Sequence, residues 1–247
     1  MIIPALNEEA LIETCLDSVF AAVDFCRRAQ PQTHVEVLLV DNGSSDGTLR
    51  TASSIAGNDR LTLLHCPLRS AAAARNLGAR HAGGDVLVFL DADTLITPDS
   101  LARISHIMES GDYEGGFAWL ASREGGMRGS LWWSSWSHIR RLPVSRAKAM
   151  SALVFCSRDA FDNFGPFVAG RELGEEWQLL GGMYRAAPER FYYDRSLVAY
   201  TSNRRMEMQR WGYLRTAILY LAVILIPARF SRFRYRYDLR ETATNEH

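Results

Sequence analysis

Residues 85–94 constrain the fold more than any other stretch, because an uninterrupted apolar run there ends in two aspartates. The run, residues 86–90, is too short for a helix and suits a pleated surface, so it predicts a strand buried on both faces of a parallel sheet. Asp91 and Asp93 leave its carboxyl end, where open α/β sheets bind ligands. The stretch therefore predicts an α/β fold with a site at this edge of the sheet.

The two aspartates predict a metal site. No cation lies near Asp91 or Asp93 in the sequence, and neighbouring carboxylates repel each other unless a divalent cation or a basic ligand lies between them. The alternative is that both acids end a strand, cap the next helix and face water. The segments that precede them favour the metal.

Three earlier segments carry a family resemblance. Residues 2–9, 37–48 and 73–79 hold, in turn, a Pro-Ala-Leu-Asn-Glu-Glu turn, a strand ending in Asp-Asn-Gly-Ser-Ser-Asp-Gly, and an Ala-Ala-Arg-Asn helix segment. In this order and spacing they resemble the nucleotide-sugar-binding half of a family 2 glycosyltransferase with the GT-A fold. The resemblance is specific over about residues 1–100 and thins afterwards.

Hydrophobic periodicity predicts the strand and helix order expected of a doubly wound fold. The first half alternates regularly, with strands near 2–4, 35–40, 61–65 and 86–90 and helices near 7–27, 48–55, 70–82 and 98–110. The second half is less regular, with strands near 116–121, 152–156 and 197–201 and helices near 129–140, from 174 onward and over 206–226.

We therefore expect a single-domain, Rossmann-like α/β/α sandwich with a mainly parallel central sheet. The catalytic domain covers residues 1–205, divided into a nucleotide-binding half, 1–100, and an acceptor half, 101–205. A C-terminal helix and a basic aromatic tail make up residues 206–247.

Composition excludes some classes of partner. The 247 residues contain 28 Lys and Arg against 28 Asp and Glu, so no overall field favours nucleic acid. The four cysteines are scattered without a metal-binding spacing, which favours buried thiols in a reducing compartment. Met1 leads straight into a strand without a signal-peptide pattern, so we expect a cytoplasmic active site.

The resemblance implies a nucleotide pocket at the first two strands. Asp41 would accept a hydrogen bond from a uracil ring, and Arg75 would face the nucleotide. Other positions implied as substrate-binding are Pro4, Asn7, Glu8, Asn76 and, towards the ribose, Asp91. From the residues alone, Asp41 could equally form a turn, and a solvated Arg75 is the default.

The resemblance also implies a cation, Mn²⁺ or Mg²⁺, with Asp93 as a direct ligand and Asp91 as a ligand or an outer-sphere partner. One or two carboxylates plus phosphate oxygens and water satisfy either ion. No third protein ligand is evident in the sequence.

Glu175 and Glu176 occupy the place where inverting members carry their catalytic acid. Glu176 aligns with the general base, although the family uses Asp there, and Glu175 precedes it. Such a base need not have a raised pKa, since it must be ionised at neutral pH to take the hydroxyl proton. The alternative is that both acids complement the helix dipole.

Arg204 and Arg205 follow the last predicted strand and resemble a pair that orients phosphates; a solvated basic turn is the alternative. Gln209, Arg210 and Trp211 lack the spacing of the Gln-X-X-Arg-Trp motif of processive synthases. We therefore do not expect a processive polymer synthase.

The C-terminal segment, 206–237, predicts a surface contact. Its apolar run, 217–226, has about half of the roughly 20 residues that a spanning helix needs. The helix could pack on the core or on a second copy of the chain. It could also lie on a membrane, with the Arg and aromatic residues of 229–237 at the headgroups and a lipid-linked acceptor within reach.

The sequence thus predicts metal-dependent transfer of a sugar, with inversion, from a nucleotide diphosphate donor, UDP by resemblance, to an unknown acceptor hydroxyl. A sugar-1-phosphate nucleotidyltransferase is an alternative, but residues 1–15 lack its Gly-rich basic loop. A non-catalytic nucleotide-sugar-binding domain is another. A dinucleotide-binding dehydrogenase is disfavoured, because no Gly-X-Gly-X-X-Gly follows a strand.

Overall fold

A computed structural model describes residues 1–56, 60–168, 174–208 and 211–225. These residues form a seven-stranded sheet and a smaller three-stranded sheet. The strands are β1 Ile2–Ala5, β2 Leu38–Asp41, β3 Thr62–His65, β4 Val86–Leu90, β5 Leu95–Ile96, β6 Gly115–Phe117, β7 Trp119–Ser122, β8 Leu153–Ser157, β9 Phe191–Tyr192 and β10 Val198–Thr201. The helices are α1 Ile12–Ala29, α2 Thr48–Ala56, α3 Ala71–His81, α4 Ser100–Glu109, α5 Met127–Ile139, α6 Arg158–Phe164, α7 Trp177–Ala186, α8 Arg204–Glu207 and α9 Gly212–Leu225.

The large sheet has the order β3-β2-β1-β4-β8-β6-β9. The first four strands, β1 to β4, run parallel to one another. β8 runs antiparallel to both of its neighbours, β4 and β6. The prediction of a mainly parallel α/β sandwich is confirmed. The central strand β4 differs from the prediction on one side, because its neighbour β8 reverses direction.

Alternate side chains of the buried strands enter two separate cores. Ile3 and Leu39 face the core that α1 and α4 cover, whereas Ile2 and Leu38 face the core that α3, α6 and α7 cover. Because successive side chains of a strand point to opposite faces, helices cover the sheet on both sides. The apolar runs of β1, β2 and β4 follow from this double burial.

Two predicted elements are each divided in the structure. The predicted strand 116–121 becomes β6 and β7, because the amide of Ala118 still bonds to Leu153 while that of Trp119 bonds to Leu197 in the second sheet. The predicted helix 206–226 becomes α8 and α9, with Trp211 at a φ of 69°. A Cβ at Gly212 would lie 2.0 Å from the carbonyl oxygen of Met206, so this close approach requires glycine at position 212.

The small sheet, in the order β5-β10-β7, connects the segment after the aspartates to the end of the catalytic domain. Tyr200 of β10 pairs with Leu95 of β5 on one side and with Ala121 of β7 on the other. This pairing brings the turn at Asp93 close to the segment that follows β10. All four cysteines are free and buried, as the sequence predicts. None of the helices in the described ranges is long and apolar enough to cross a membrane.

Candidate functional site

The candidate site lies at the carboxyl ends of the parallel strands. Two loops, after β1 and after β2, form its first wall. The amide of Asn7 donates to the Ser44 hydroxyl at 3.1 Å, and the Ser45 amide donates to the Asn7 side-chain oxygen at 2.8 Å. The Glu8 amide donates to the Thr48 hydroxyl at 2.8 Å. These cross-loop bonds, together with a positive φ of 54° at Asn7, hold the wall in one conformation.

Asp41 ends β2 and is 1% exposed. Its two carboxylate oxygens accept from the amides of Gly43 and Ser44 at 3.1 Å each, and His65 Nδ1 lies 3.2 Å from Oδ2. Asp41 therefore makes the contacts of a turn, which was the alternative role considered for it from the sequence. Since a carboxylate has about four acceptor sites, one remains for a ligand such as a base. Pro4 lies next to it, paired in register with Val40.

Arg75 of α3 is buried between carboxylates from two other elements. Its Nη2 donates to Asp91 Oδ1 and its Nη1 to Glu175 Oε1, both at 2.6 Å, and Nη1 lies 3.9 Å from Glu176 Oε1. Burial lowers the pKa of Arg75, but the three carboxylates raise it well above its usual value. Arg75 thus supplies the positive charge that the sequence around Asp91 lacks, from a helix that precedes Asp91 in the chain.

Asn76 holds the backbone of Phe167 in place. Its Nδ2 donates to the Phe167 carbonyl at 2.8 Å, and the Phe167 amide donates back to Asn76 Oδ1 at 2.9 Å. The ring of Phe167 lies 5.4 Å from Cζ of Arg75. The structure therefore engages the Asn76 side chain with the backbone, where the sequence predicted a substrate contact.

Asp93 is 7% exposed and lies in the turn between β4 and β5. Thr94 Oγ1 donates to Asp93 Oδ1 at 3.2 Å, and Arg123 Nη1 donates to the Asp93 carbonyl at 3.2 Å. Arg123 also donates to the Thr14 hydroxyl, which ties this turn to α1. No sequence signal indicated Arg123, because its role depends on the pairing of β7 with β10.

The carboxylates fit a hard cation. Asp91 is half-buried, with Oδ1 bonded to Arg75, and Asp93 follows two residues later. Within the described ranges, no group of three or more His, Cys, Asp or Glu residues gathers as a metal site. This donor set suits an ion that takes one or two carboxylates and completes its shell with phosphate oxygens and water.

Glu175 and Glu176 precede α7 and are 8% and 4% exposed. Glu176 makes no side-chain capping bond to α7, so the capping alternative lacks its hydrogen bond. Its Oε2 has no hydrogen-bond partner among the described residues. Burial raises the pKa of Glu176 to about 8. Repulsion from Glu175 and Asp91 adds to this effect, and attraction to Arg75 opposes it. The sequence argument did not require a raised pKa, which follows from this burial.

Arg204 connects the end of the catalytic domain to the first wall. Its Nη2 donates to both carboxylate oxygens of Glu8, at 2.8 and 2.7 Å, and its side chain is 33% exposed. Glu8 is itself 5% exposed. The side chain of Arg205 lies outside the described part of the structure, as do residues 209–210 and 226–247.

A second buried arginine, Arg140, follows α5 and is 0% exposed. Its Cζ lies 3.6 Å from the ring centroid of Phe117, and its Nε, Nη1 and Nη2 have no hydrogen-bond partner among the described residues. Burial lowers its pKa to about 10. Sequence reasoning missed Arg140, because nothing in the helical pattern distinguishes it from the neighbouring Arg141.

A family model described as glycosyl transferase family 2 matches residues 1–160. The glycosyltransferase AglE of Haloferax volcanii is 31% identical over 172 residues, which cover 68% of this chain and 55% of AglE. A PGL/p-HBAD biosynthesis glycosyltransferase of Mycobacterium tuberculosis is 30% identical over 185 residues, 72% of this chain and 66% of the relative. The undecaprenyl-phosphate 4-deoxy-4-formamido-L-arabinose transferase of Aeromonas hydrophila is 34% identical over 107 residues, 42% and 31% of the two chains. The chain thus spans about half of AglE and less of the Aeromonas protein.

Solved structures share the fold. The mannosyltransferase PcManGT from Pyrobaculum calidifontis, in complex with GDP-Man and Mn²⁺, superposes with a TM-score of 0.62 at 24% identity, covering 88% of this chain and 59% of that one. Staphylococcus aureus TarS 1–349 with UDP-GlcNAc has a TM-score of 0.62 at 17% identity, covering 92% and 67%. Glucosyl-3-phosphoglycerate synthase from M. tuberculosis, in complex with Mn²⁺, UDP and phosphoglyceric acid, has a TM-score of 0.60 at 20% identity, covering 92% of this chain and 78% of that one. These likenesses concern the fold.

Proposed function

This chain belongs to glycosyltransferase family 2 and has the GT-A fold, and from that premise we propose that it transfers a sugar from a nucleotide diphosphate to an acceptor hydroxyl. One observation carries the proposal. Arg75 bonds to Asp91 beside the candidate metal ligand and to Glu175 beside the candidate base, both at 2.6 Å. The residues proposed for donor binding and for proton transfer therefore meet at one buried side chain, the guanidinium of Arg75.

We propose that Asp93, with Asp91 beside it, holds Mn²⁺ or Mg²⁺ with the donor diphosphate. When bound, the cation supplies positive charge that balances the departing diphosphate. Asp41, with its remaining acceptor site, would receive the base, and the resemblance favours uracil. Among structural neighbours, one contains GDP-Man with Mn²⁺ and another contains UDP with Mn²⁺, which supports a divalent cation and a nucleotide diphosphate.

Glu176 is the proposed general base of a single inverting displacement. The acceptor hydroxyl gives its proton to the Glu176 carboxylate as its oxygen bonds to the anomeric carbon, and the bond to the diphosphate breaks on the opposite face. A pKa near 8 makes Glu176 a stronger base than an ordinary glutamate, at the cost of a smaller ionised fraction at neutral pH. Arg75, 3.9 Å away, favours the ionised form.

The phosphate-orienting role remains a proposal for Arg204 and Arg205. Arg204 lies against Glu8 of the first wall and is partly exposed. This position supports a guanidinium at the edge of the proposed donor pocket. Arginine suits this role because its planar group pairs with phosphate in a bidentate manner.

A non-catalytic nucleotide-sugar-binding domain is the second candidate. Such a domain has no need of acids beside the metal motif, so the pair at Glu175 and Glu176 would be free to point elsewhere. The bond from Arg75 to both Asp91 and Glu175 favours the enzyme instead.

We also propose that α9 and the tail beyond it rest on an anionic membrane. Leu214, Ile218, Leu221 and Leu225 of α9 are 47% to 73% exposed, and residues 226–240 contain five Arg and one Asp. Apolar burial and attraction of arginines to anionic lipid act together in such contacts. A lipid-linked acceptor is consistent with the name of the Aeromonas relative.

Co-sedimentation with anionic and neutral vesicles tests the membrane contact. The full chain should pellet with anionic vesicles, and a chain that ends near Arg210 should not. Equal sedimentation of the two chains would leave packing or association with a second copy as the role of α9.

Thermal-shift measurements test donor binding. Nucleotide diphosphates and nucleotide sugars are added with and without Mn²⁺, because a ligand that binds only the folded state raises stability by an amount set by its concentration over its Kd. At least one of them should stabilise the chain more with Mn²⁺ than without. Asp93→Asn is the control variant, and it should retain the fold while losing the Mn²⁺-dependent part of the shift.

A further inference from the structure

A groove of about 870 Å³ lies between α5 and the α8–α9 hairpin. The proposed chemistry uses none of it. Its volume falls within the roughly 300–1,000 Å³ of ligand pockets. The lining side chains are mostly apolar or aromatic, with three polar ones among them, and they include Arg128, Leu131, Trp132, Ser135, Met206 and Leu214.

The α5 wall of the groove is one face of a helix. Arg128, Leu131, Trp132 and Ser135 recur at spacings of three and four residues, so they lie in one line along α5. Leu131 is 62% exposed, and Trp211 on the opposite wall is 71% exposed. Apolar side chains this exposed on facing walls indicate a site that an apolar group covers.

The groove begins next to the proposed donor site. Met206 and Glu207, which line it, follow Arg204 by two and three residues, and Arg204 bonds to Glu8. Beside the groove, Trp133 Nε1 donates to Asn203 Oδ1 at 2.7 Å, which fixes α5 to the start of α8. The groove therefore ends within one helical turn of Arg204 along α8.

The far end of the groove opens onto an exposed apolar stripe. Leu214 lines the groove, and Ile218, Leu221 and Leu225 continue along α9 at spacings of four, three and four residues. The opposite face of α9 packs on the core through Tyr213, Tyr220 and Ile224. A helix that is apolar on both faces is normally covered on both.

We propose that this groove holds the hydrocarbon chain of an amphiphilic acceptor, with the hydroxyl-bearing head at the Arg204 end. The inference rests on the proposed function and names its acceptor class. Continuity with the stripe supports it, because a chain leaving a membrane under α9 would enter the groove directly. A second copy of the chain is disfavoured as the occupant, because two α9 helices would bring together two segments that each carry five Arg and one Asp over 226–240.

The test is a chain-length series. Calorimetry measures the binding of linear primary alkanols, from hexanol to dodecanol, to the full chain without vesicles. Each methylene buried in the groove should tighten the affinity by about fourfold, until the groove is filled and the affinity stops rising. Absence of binding, or a rise that continues without a plateau, would overturn the proposal.

Two variants locate the binding. Ser135→Trp places a bulky ring inside the groove at an exposed position, and it should abolish the dependence on chain length. Leu131→Asp, at another exposed lining position, should weaken dodecanol binding by about 60-fold if three methylenes lose their contacts. If both variants bind dodecanol as the parent does, the chain binds elsewhere and the proposal is wrong.

Leu225→Ser is the control, because it removes an apolar side chain of α9 that is 73% exposed but lies outside the groove. It should leave alkanol affinity unchanged. A loss equal to that of Leu131→Asp would assign binding to the stripe and overturn the groove. Nucleotide binding with Mn²⁺ is measured on the same samples: nucleotide binding without alkanol binding refutes the groove alone, whereas alkanol binding without nucleotide binding refutes the proposed function.

Discussion

Two parts of the chain, residues 1–100 (the first half) and residues 101–205 (the second half), differ in how completely their buried polar groups are paired. In the first half, Asn7 accepts from an amide of the neighbouring loop, and Asp41 accepts from amides of its own loop. Thr48 bonds to Glu8 and Asp46. In the described part of the chain, every buried side-chain nitrogen or oxygen without a hydrogen-bond partner lies in the second half. These atoms belong to Trp132, Trp136, Arg140, Glu176 and Trp177.

This difference indicates two kinds of site. An unsatisfied buried polar group costs about 1–3 kcal/mol, so a protein retains such groups where a substrate or a bound water completes them. We propose that the first half binds the donor in its preformed wall. In the second half, we propose that the acceptor supplies a hydrogen-bond partner to Glu176, whose Oε2 has none among the described residues.

Removal of the proposed base should produce the largest effect. Glu176→Gln is nearly isosteric and matches the protonated form that burial favours, so the fold persists. Turnover should fall by about 10² to 10⁴-fold, because the amide cannot accept the acceptor proton. Release of the nucleotide diphosphate from the donor, followed with the acceptor present, measures it.

Glu175→Gln is the matched control one residue away. Glu175 bonds to Arg75, so its loss should weaken positioning and cost less turnover than the loss of Glu176. If Glu175→Gln is the more impaired variant, the roles of the two acids are exchanged. If neither variant is impaired, the catalytic assignment fails.

Arg75→Met should destabilise the fold strongly. It leaves the buried Glu175 and the half-buried Asp91 without their shared guanidinium. Breaking a buried pair costs about 3–5 kcal/mol, and solvent screening reduces the share of Asp91. Urea unfolding monitored by circular dichroism gives the change in unfolding free energy. A loss below about 1 kcal/mol would show that Arg75 does not hold the two halves together.

Arg140→Met is the counterpart in the second half and should have a much smaller effect. Loss of a cation–π contact of about 2 kcal/mol with Phe117 is offset by relief of the desolvated charge, so the unfolding free energy should change by less than about 1 kcal/mol. The same urea titration applies. A loss as large as that of Arg75→Met would contradict the contrast between the two arginines.

The raised pKa of Glu176 predicts a pH dependence of stability. From the ordinary value of 4.5 to about 8, the folded chain retains a proton that the unfolded chain releases. This contribution to stability is therefore complete below pH 4.5 and is lost as the pH rises through 8, with a slope of at most about 1.4 kcal/mol per unit. Comparing parent and Glu176→Gln by urea unfolding between pH 5 and 8 isolates it, because the other titrating groups are shared. Parallel curves would show that Glu176 titrates normally.

The first half could be read from the sequence far more completely than the second. Its strands are buried on both faces, so their apolar runs stand out, and each ends in residues whose turn chemistry is local, as at Asp41. The α/β class, the parallel order and the sheet edge followed from these patterns. The metal ligands and the base remain predictions.

What the sequence could not show depends on contacts between distant elements. The partner of Asp91 is Arg75 of another helix, and the partner of Glu8 is Arg204, which lies 196 residues away. Burial of Glu176, and with it the raised pKa, depends on how α7 packs. The division of 206–226 into two helices depends on a close approach between Gly212 and Met206. None of these has a local signal.

The central claim is that donor binding belongs to the first half and proton transfer to the second. Titration calorimetry of uridine diphosphate, with and without Mn²⁺, into the parent, Glu176→Gln and Asp93→Asn tests it most directly. We predict that Glu176→Gln binds within about twofold of the parent, a difference below roughly 0.5 kcal/mol, while Asp93→Asn loses the Mn²⁺-dependent part of the affinity. Loss of binding in Glu176→Gln, or Mn²⁺-dependent binding retained in Asp93→Asn, would contradict the account.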